Sequence, residues 1–186
     1  PPDGAGKANY LTAVTNIDNE LVEILDVEKI LAEISPIDET MSEDIKEEIA
    51  NIQEEKDIVR RILIADDSTV ARKQVQRAIE GLGFEAIAVK DGKEAYDKLA
   101  EMAEEGSIYD QISLVISDIE MPEMDGYTLT AEIRRHSGLK DLHVILHTSL
   151  SGVFNQAMVE RVGANEFIAK FNPDELGSAV KAAVSG

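Results

Sequence analysis

Ile62-Leu63-Ile64-Ala65-Asp66-Asp67-Ser68 is the stretch of this 186-residue chain on which the fold turns. Four consecutive apolar residues without polar alternation are the pattern of a parallel strand covered on both faces. Two aspartates mark its carboxyl end, and a polar-capped helix is expected to follow at 68–80, ended by Gly81 and Gly83. The same unit recurs to the end of the chain. Strands are expected at 62–65, 84–89, 112–117, 144–147 and 167–169, with the remaining helices at 92–104, 126–136, 152–162 and 173–184. Five strand–helix units predict an α/β domain with a five-stranded parallel sheet and helices on both faces. In such sheets ligands sit beyond the carboxyl ends of the strands.

The residues at those ends are Asp66 and Asp67 after the first strand, Asp118 after the third, Thr148 after the fourth and Lys170 after the fifth. Three clustered carboxylates repel one another unless a cation is present, and hard oxygen ligands suit Mg2+. A lysine and a threonine supply the positive charge and hydrogen-bond donor that a transferred phosphoryl group requires. The set therefore suits phosphoryl transfer onto a carboxylate. Asp118, alone at the end of the middle strand, is the best-placed nucleophile. Asp66 and Asp67 are placed to hold the metal from the side.

Each residue alone has a plainer reading. Adjacent aspartates after a strand commonly cap helices, a lone lysine is a surface residue, and Phe167 is a core residue. His136, His143 and His147 have no metal-ligand spacing, and Glu123 and Asp125 read as loop carboxylates. It is the register of five separated positions that favours a site.

Asp66-Asp67-Ser68, the loop Asp118-Ile119-Glu120-Met121-Pro122-Glu123-Met124-Asp125-Gly126, Thr148-Ser149 and Lys170 together resemble a two-component response-regulator receiver domain. Asp118 and Thr148 are 30 residues apart, and Thr148 and Lys170 are 22 apart, which fits that family. The resemblance spans 60–186 and implies a flavodoxin-like (βα)5 fold. It also implies a histidine kinase as phosphodonor, Asp118 as phosphoacceptor, and Mg2+ held by Asp66, Asp67, Asp118 and the Glu120 backbone carbonyl. Thr148 and Lys170 would read out the phosphoryl group, and Phe167 would be the switch aromatic. Such a module catalyses only its own phosphorylation and dephosphorylation. Two features depart from the family. The proline usual directly after the lysine is displaced, giving Phe171-Asn172-Pro173. Glu120 places a carboxylate two residues after the acceptor, where it is expected to alter the acyl-phosphate lifetime. The stretch 102–110 is expected to form a surface loop.

The first third has another texture. Tyr10 to Ile17 and Leu21 to Leu25 read as a hairpin around Asp18-Asn19. Asp26 could cap a short helix with Val27, Ile30, Leu31 and Ile34 as its stripe. This segment resembles the carboxyl-terminal end of a CheW-like coupling domain, so 1–35 is expected to be a remnant of one. Coupling domain followed by receiver is the arrangement of CheV-like chemotaxis proteins. That resemblance implies a CheA-like kinase, a chemoreceptor signalling array as partner, and a cytoplasmic location. Ser35-Pro36 breaks the helix, and 36–59 reads as an acidic helical linker. Thr40 and Glu43 have capping-box spacing there, and Met41, Ile45, Ile49 and Ile52 form a narrow apolar stripe. The stripe fits a solvated helix packed along one seam better than a partner-binding helix.

Composition sets the outer bounds. With 37 acidic and 18 basic side chains the formal charge is −19, which opposes nucleic-acid or anionic-membrane binding. Residues 1–60 carry 16 acidic and 5 basic groups, a net −11. No cysteine is present, which excludes disulfides and thiolate zinc sites. No apolar run approaches the ~20 residues of a membrane-spanning helix, so no direct membrane insertion is expected. The leading expectation is a phosphoacceptor that tunes chemotaxis coupling, as switch or phosphate sink. The rivals are an aspartyl-phosphate phosphohydrolase and an inert structural adaptor.

Overall fold

The computed structural model describes residues 11–17, 20–25, 41–55, 59–148, 161–170 and 172–185. The chain divides into two compact units, Pro1–Ile37 and Asp38–Gly186. In the first, β1 (Leu11–Ile17) and β2 (Glu20–Leu25) pair antiparallel with Ile17 opposite Glu20. This is the expected hairpin. Its turn and the expected helix beginning after Asp26 lie outside the described residues, as do most of 152–162.

The second unit runs α1 (Glu43–Glu55), β3 (Arg61–Ala65), α2 (Thr69–Gly81), β4 (Glu85–Val89), α3 (Gly92–Glu105), β5 (Leu114–Ser117), α4 (Gly126–Arg135), β6 (His143–Thr148), β7 (Glu166–Ala169) and α5 (Pro173–Ser185). Its five strands are parallel in the order β4-β3-β5-β6-β7, the flavodoxin-like arrangement. The apolar runs are two-sided in fact: within β3, Ile62 and Ile64 face one core while Leu63 and Ala65 face the other. The first core is closed by Val75 and Ile79 of α2 and Val180 and Val184 of α5. The second is closed by Leu99 of α3 and Leu129 and Ile133 of α4.

The helix read within 36–59 packs along one seam as expected: α1 begins at Glu43 and lays its stripe into the first core. Met41 and Ile49 are buried there, and Ile45 and Ile52 pack against it. Gly177 in α5 allows this approach: a Cβ there would meet Met41 Sδ at 2.5 Å and Ile45 Cγ2 at 2.8 Å. Polar contacts pin both ends. Asp174 Oδ1 accepts from the Ser42 N–H at 2.7 Å, and Gln53 Nε2 donates to the Leu82 carbonyl at 3.0 Å. The stretch 102–110 does differ from expectation, being more ordered than a surface loop. It forms a 3-10 turn, Ile108–Asp110, that buries Ile108.

Candidate functional site

Register carries the polar residues to one edge. Ala65 pairs with Ser117, Ser117 with Leu146, and Thr148 with Ala169. Asp66, Asp118, Thr148 and Lys170 therefore terminate or directly follow neighbouring strands. The Asp118 N–H donates to the Ala65 carbonyl at 2.8 Å, and the Lys170 N–H to the Thr148 carbonyl at 2.8 Å. These bonds hold the edge together just beyond the sheet.

At that edge one oxygen each of Asp66, Asp67 and Asp118 lies within 4.8 Å of the others. Asp66 and Asp118 are buried, while Asp67 is exposed. Lys170, also buried, places Nζ 2.8 Å from Asp118 Oδ2 and 3.0 Å from Asp66 Oδ2. Burying like charges this closely is unfavourable without counter-charge. Three carboxylates and one ammonium leave a formal −2, which a divalent cation with oxygen preference neutralises. The donor set thus fits Mg2+.

Asp118 is fixed on both sides, because its Oδ1 accepts from the Ile119 N–H at 2.7 Å while Lys170 holds Oδ2. The loop behind it is equally constrained. Gly126 comes so close that a Cβ would lie 2.1 Å from the Asp118 carbonyl oxygen. Only glycine lets α4 start there without displacing the aspartate. Asp125 caps that helix, its Oδ1 accepting from the Thr128 N–H at 2.7 Å, which agrees with its reading as a loop carboxylate. Glu120 is exposed within the same loop.

Phe167 is half-buried on β7, two strands from Asp118, packed with Ile119, Leu146 and Tyr127. Proline displaced from the usual place has a local role: Pro173 opens α5, and Asn172 caps it, its Oδ1 accepting from the Glu175 N–H at 3.2 Å.

His147, beside Thr148, is poorly suited to accept a proton. Burial, reinforced by the charge of Lys170, pushes its imidazole down to about 3 from 6.5, so it stays neutral. The unfolded chain therefore binds more protons than the folded one below about pH 6.5. Stability that His147 supports at neutral pH should be lost as pH falls toward 3, by at most about 1.4 kcal/mol per pH unit. Urea unfolding at pH 7 and pH 5 should show a smaller difference in His147→Gln than in wild type. An identical pH slope in both proteins would contradict a buried neutral imidazole.

Arg72 was not visible as a site residue in sequence. Its guanidinium donates to the Asp66 carbonyl at 2.5 Å and reaches the Asp67 carbonyl at 3.4 Å.

A family model for the response regulator receiver domain matches residues 62–181. The chemotaxis protein CheV2 of Helicobacter pylori is 31% identical over 183 residues, covering 98% of this chain and 56% of that protein. The chain spans about half the length of the curated CheV relatives it matches. Among solved structures, the Vibrio cholerae chemotaxis protein CheY4 superposes with a TM-score of 0.59 at 25% identity, over 67% of this chain and 98% of that one. The receiver domain of the Pseudomonas aeruginosa sensor histidine kinase PA1611 has a TM-score of 0.59 at 23% identity, covering 69% and 99%. That domain was solved with a magnesium ion coordinated in its active-site cleft; at this identity the likeness is one of fold.

Proposed function

Because the chain belongs to the response-regulator receiver family, we propose that it is a Mg2+-dependent phosphoacceptor, with Asp118 taking a phosphoryl group from a histidine kinase. The observation that carries this reading is the −2 cluster of buried Asp66, Asp118 and Lys170 with exposed Asp67 at the carboxyl edge of the sheet. Mg2+ would be held by the three carboxylates and the Glu120 carbonyl, and when bound it neutralises charge on the phosphoryl oxygens. An Asp118 oxygen forms the new P–O bond as the donor's P–N bond breaks, and the electron pair leaves with the imidazole. Lys170 and Thr148 then bind phosphoryl oxygens, and Phe167 responds by moving inward. Hydrolysis returns the carboxylate when a water oxygen attacks phosphorus and the P–O bond to Asp118 breaks.

The CheV relatives support placing the module in chemotaxis, with residues 1–35 as the end of a CheW-like domain, 36–59 connecting it to the receiver at 60–186, and a CheA-like kinase and chemoreceptor array as cytoplasmic partners. Among the described residues no helix is long and apolar enough to cross a membrane. Acidity argues against nucleic acid as partner. The test is phosphotransfer from a chemotaxis kinase, or from acetyl phosphate with Mg2+, to the wild type and Asp118→Asn. A phosphohydrolase would instead turn over simple phosphomonoesters, and an inert adaptor would take no label.

Glu120 should set the lifetime of the product, since its exposed carboxylate lies two residues from the acceptor. Dephosphorylation followed in wild type and Glu120→Asn should give different rate constants. Equal rates would remove Glu120 from the account.

A further inference from the structure

We propose that Arg72 is a positioning residue for the cation site, a clamp on the main chain that aims the Asp66 and Asp67 carboxylates toward Asp118. The inference rests on the phosphoacceptor reading, since it takes these carboxylates to bind Mg2+. One guanidinium joins three consecutive pieces of structure. It donates to the Asp66 carbonyl just past β3 at 2.5 Å, reaches the Asp67 carbonyl at 3.4 Å, and lies 3.5 Å from Thr69 Oγ1 at the start of α2. The planar fork of arginine can meet several acceptors at once, which an ammonium on a flexible stem does less well.

The segment it holds is the one whose geometry matters. Asp66 is already tied through its N–H to the Val89 carbonyl at 3.2 Å, and its Oδ1 accepts from the Ser68 N–H at 2.9 Å. Asp67 is exposed, and the peptide planes on either side set the Cα–Cβ vector from which its carboxylate reaches the site. Arg72 holds the carbonyls of both residues, so it opposes rotation of those planes.

Two roles for the charge predict opposite signs. As a charge alone, Arg72 repels a divalent cation, and its removal should tighten Mg2+ binding. As a clamp, its removal should weaken binding, as loss of outer-sphere partners does at metal sites, by about tenfold or more. The experiment is calorimetric titration of Mg2+ into the full chain, without phosphodonor, for wild type, Arg72→Gln, Arg72→Lys and Asp118→Asn. Both Arg72 variants should show a dissociation constant about tenfold higher, because lysine restores the charge without the fork. Arg72→Gln binding Mg2+ as tightly as wild type, or more tightly, overturns the clamp. So does full rescue by Arg72→Lys. Wild type that binds no Mg2+ takes down the phosphoacceptor reading and the clamp together, which separates that failure from one confined to Arg72. Amide hydrogen exchange of the metal-free protein guards against general loosening. In Arg72→Gln the Ser68 and Ala71 amides should exchange about tenfold faster while the β3 and β5 amides are unchanged. Equal acceleration throughout counts against the clamp.

Discussion

Asp118→Asn should take no phosphoryl group from a histidine kinase or from acetyl phosphate with Mg2+, under conditions where the wild type is labelled. The change is nearly isosteric. An asparagine carbonyl oxygen can keep the bond from the Ile119 N–H, and Lys170 keeps its partner Asp66 at 3.0 Å. What is lost is the anionic oxygen that must form the P–O bond, since a neutral amide is a poor nucleophile. The cluster also falls from a formal −2 to −1, so Mg2+ affinity should drop with it. The expected loss is therefore complete within detection, more than about a hundredfold in rate, by the arithmetic of a barrier raised by several kcal/mol. Because the protein keeps its fold, circular dichroism and urea midpoint should change little. Labelling that survives in Asp118→Asn would move the acceptor elsewhere and leave the carboxylate cluster without its assigned role.

Much of this site was legible in the sequence, for a physical reason. A parallel strand buried on both faces is largely apolar, so the first acidic residue after its apolar run marks the carboxyl edge. Asp66 and Asp118 stand at such breaks, Thr148 ends β6, and Lys170 follows β7. Helix boundaries were legible where side chains cap them: Ser68 accepts from the Ala71 N–H, and Asp125 from the Thr128 N–H. Arg72 was hidden because it acts on main-chain carbonyls, and backbone acceptors leave no trace in a pattern of side chains. The order within 102–110 was hidden too, since Ile108 is a single buried residue among polar neighbours and sets no period. The stripe Met41, Ile45, Ile49 and Ile52 was legible as a stripe, but its target was not. An apolar face specifies burial and leaves the partner open. Gly177 offered the only local hint, as a glycine inside a helix costs about 1 kcal/mol relative to alanine and often marks close packing.

That hint gives the largest expected effect on stability. Ile49 is fully buried in the core shared by β3, α2 and α5. Ile49→Ala should lower the unfolding free energy by about 3 kcal/mol, within the range for isoleucine truncation in a packed core. A domain of this size has about 5–15 kcal/mol in total, so the urea midpoint should fall visibly with an unchanged slope. Exposed positions on the same helix, such as Glu47, should change stability by less than about 0.5 kcal/mol. A solvated spacer would show no difference between the two faces. Gly177 supplies a test of sign. With α1 docked, the Cβ of Gly177→Ala meets Met41 and Ile45 inside contact distance, and the crowding outweighs the helix-propensity gain of about 1 kcal/mol. With Met41 and Ile45 both cut to alanine, that clash is removed and Gly177→Ala should stabilise. Stabilisation by Gly177→Ala in the otherwise wild-type chain would mean that α1 does not occupy this face in solution.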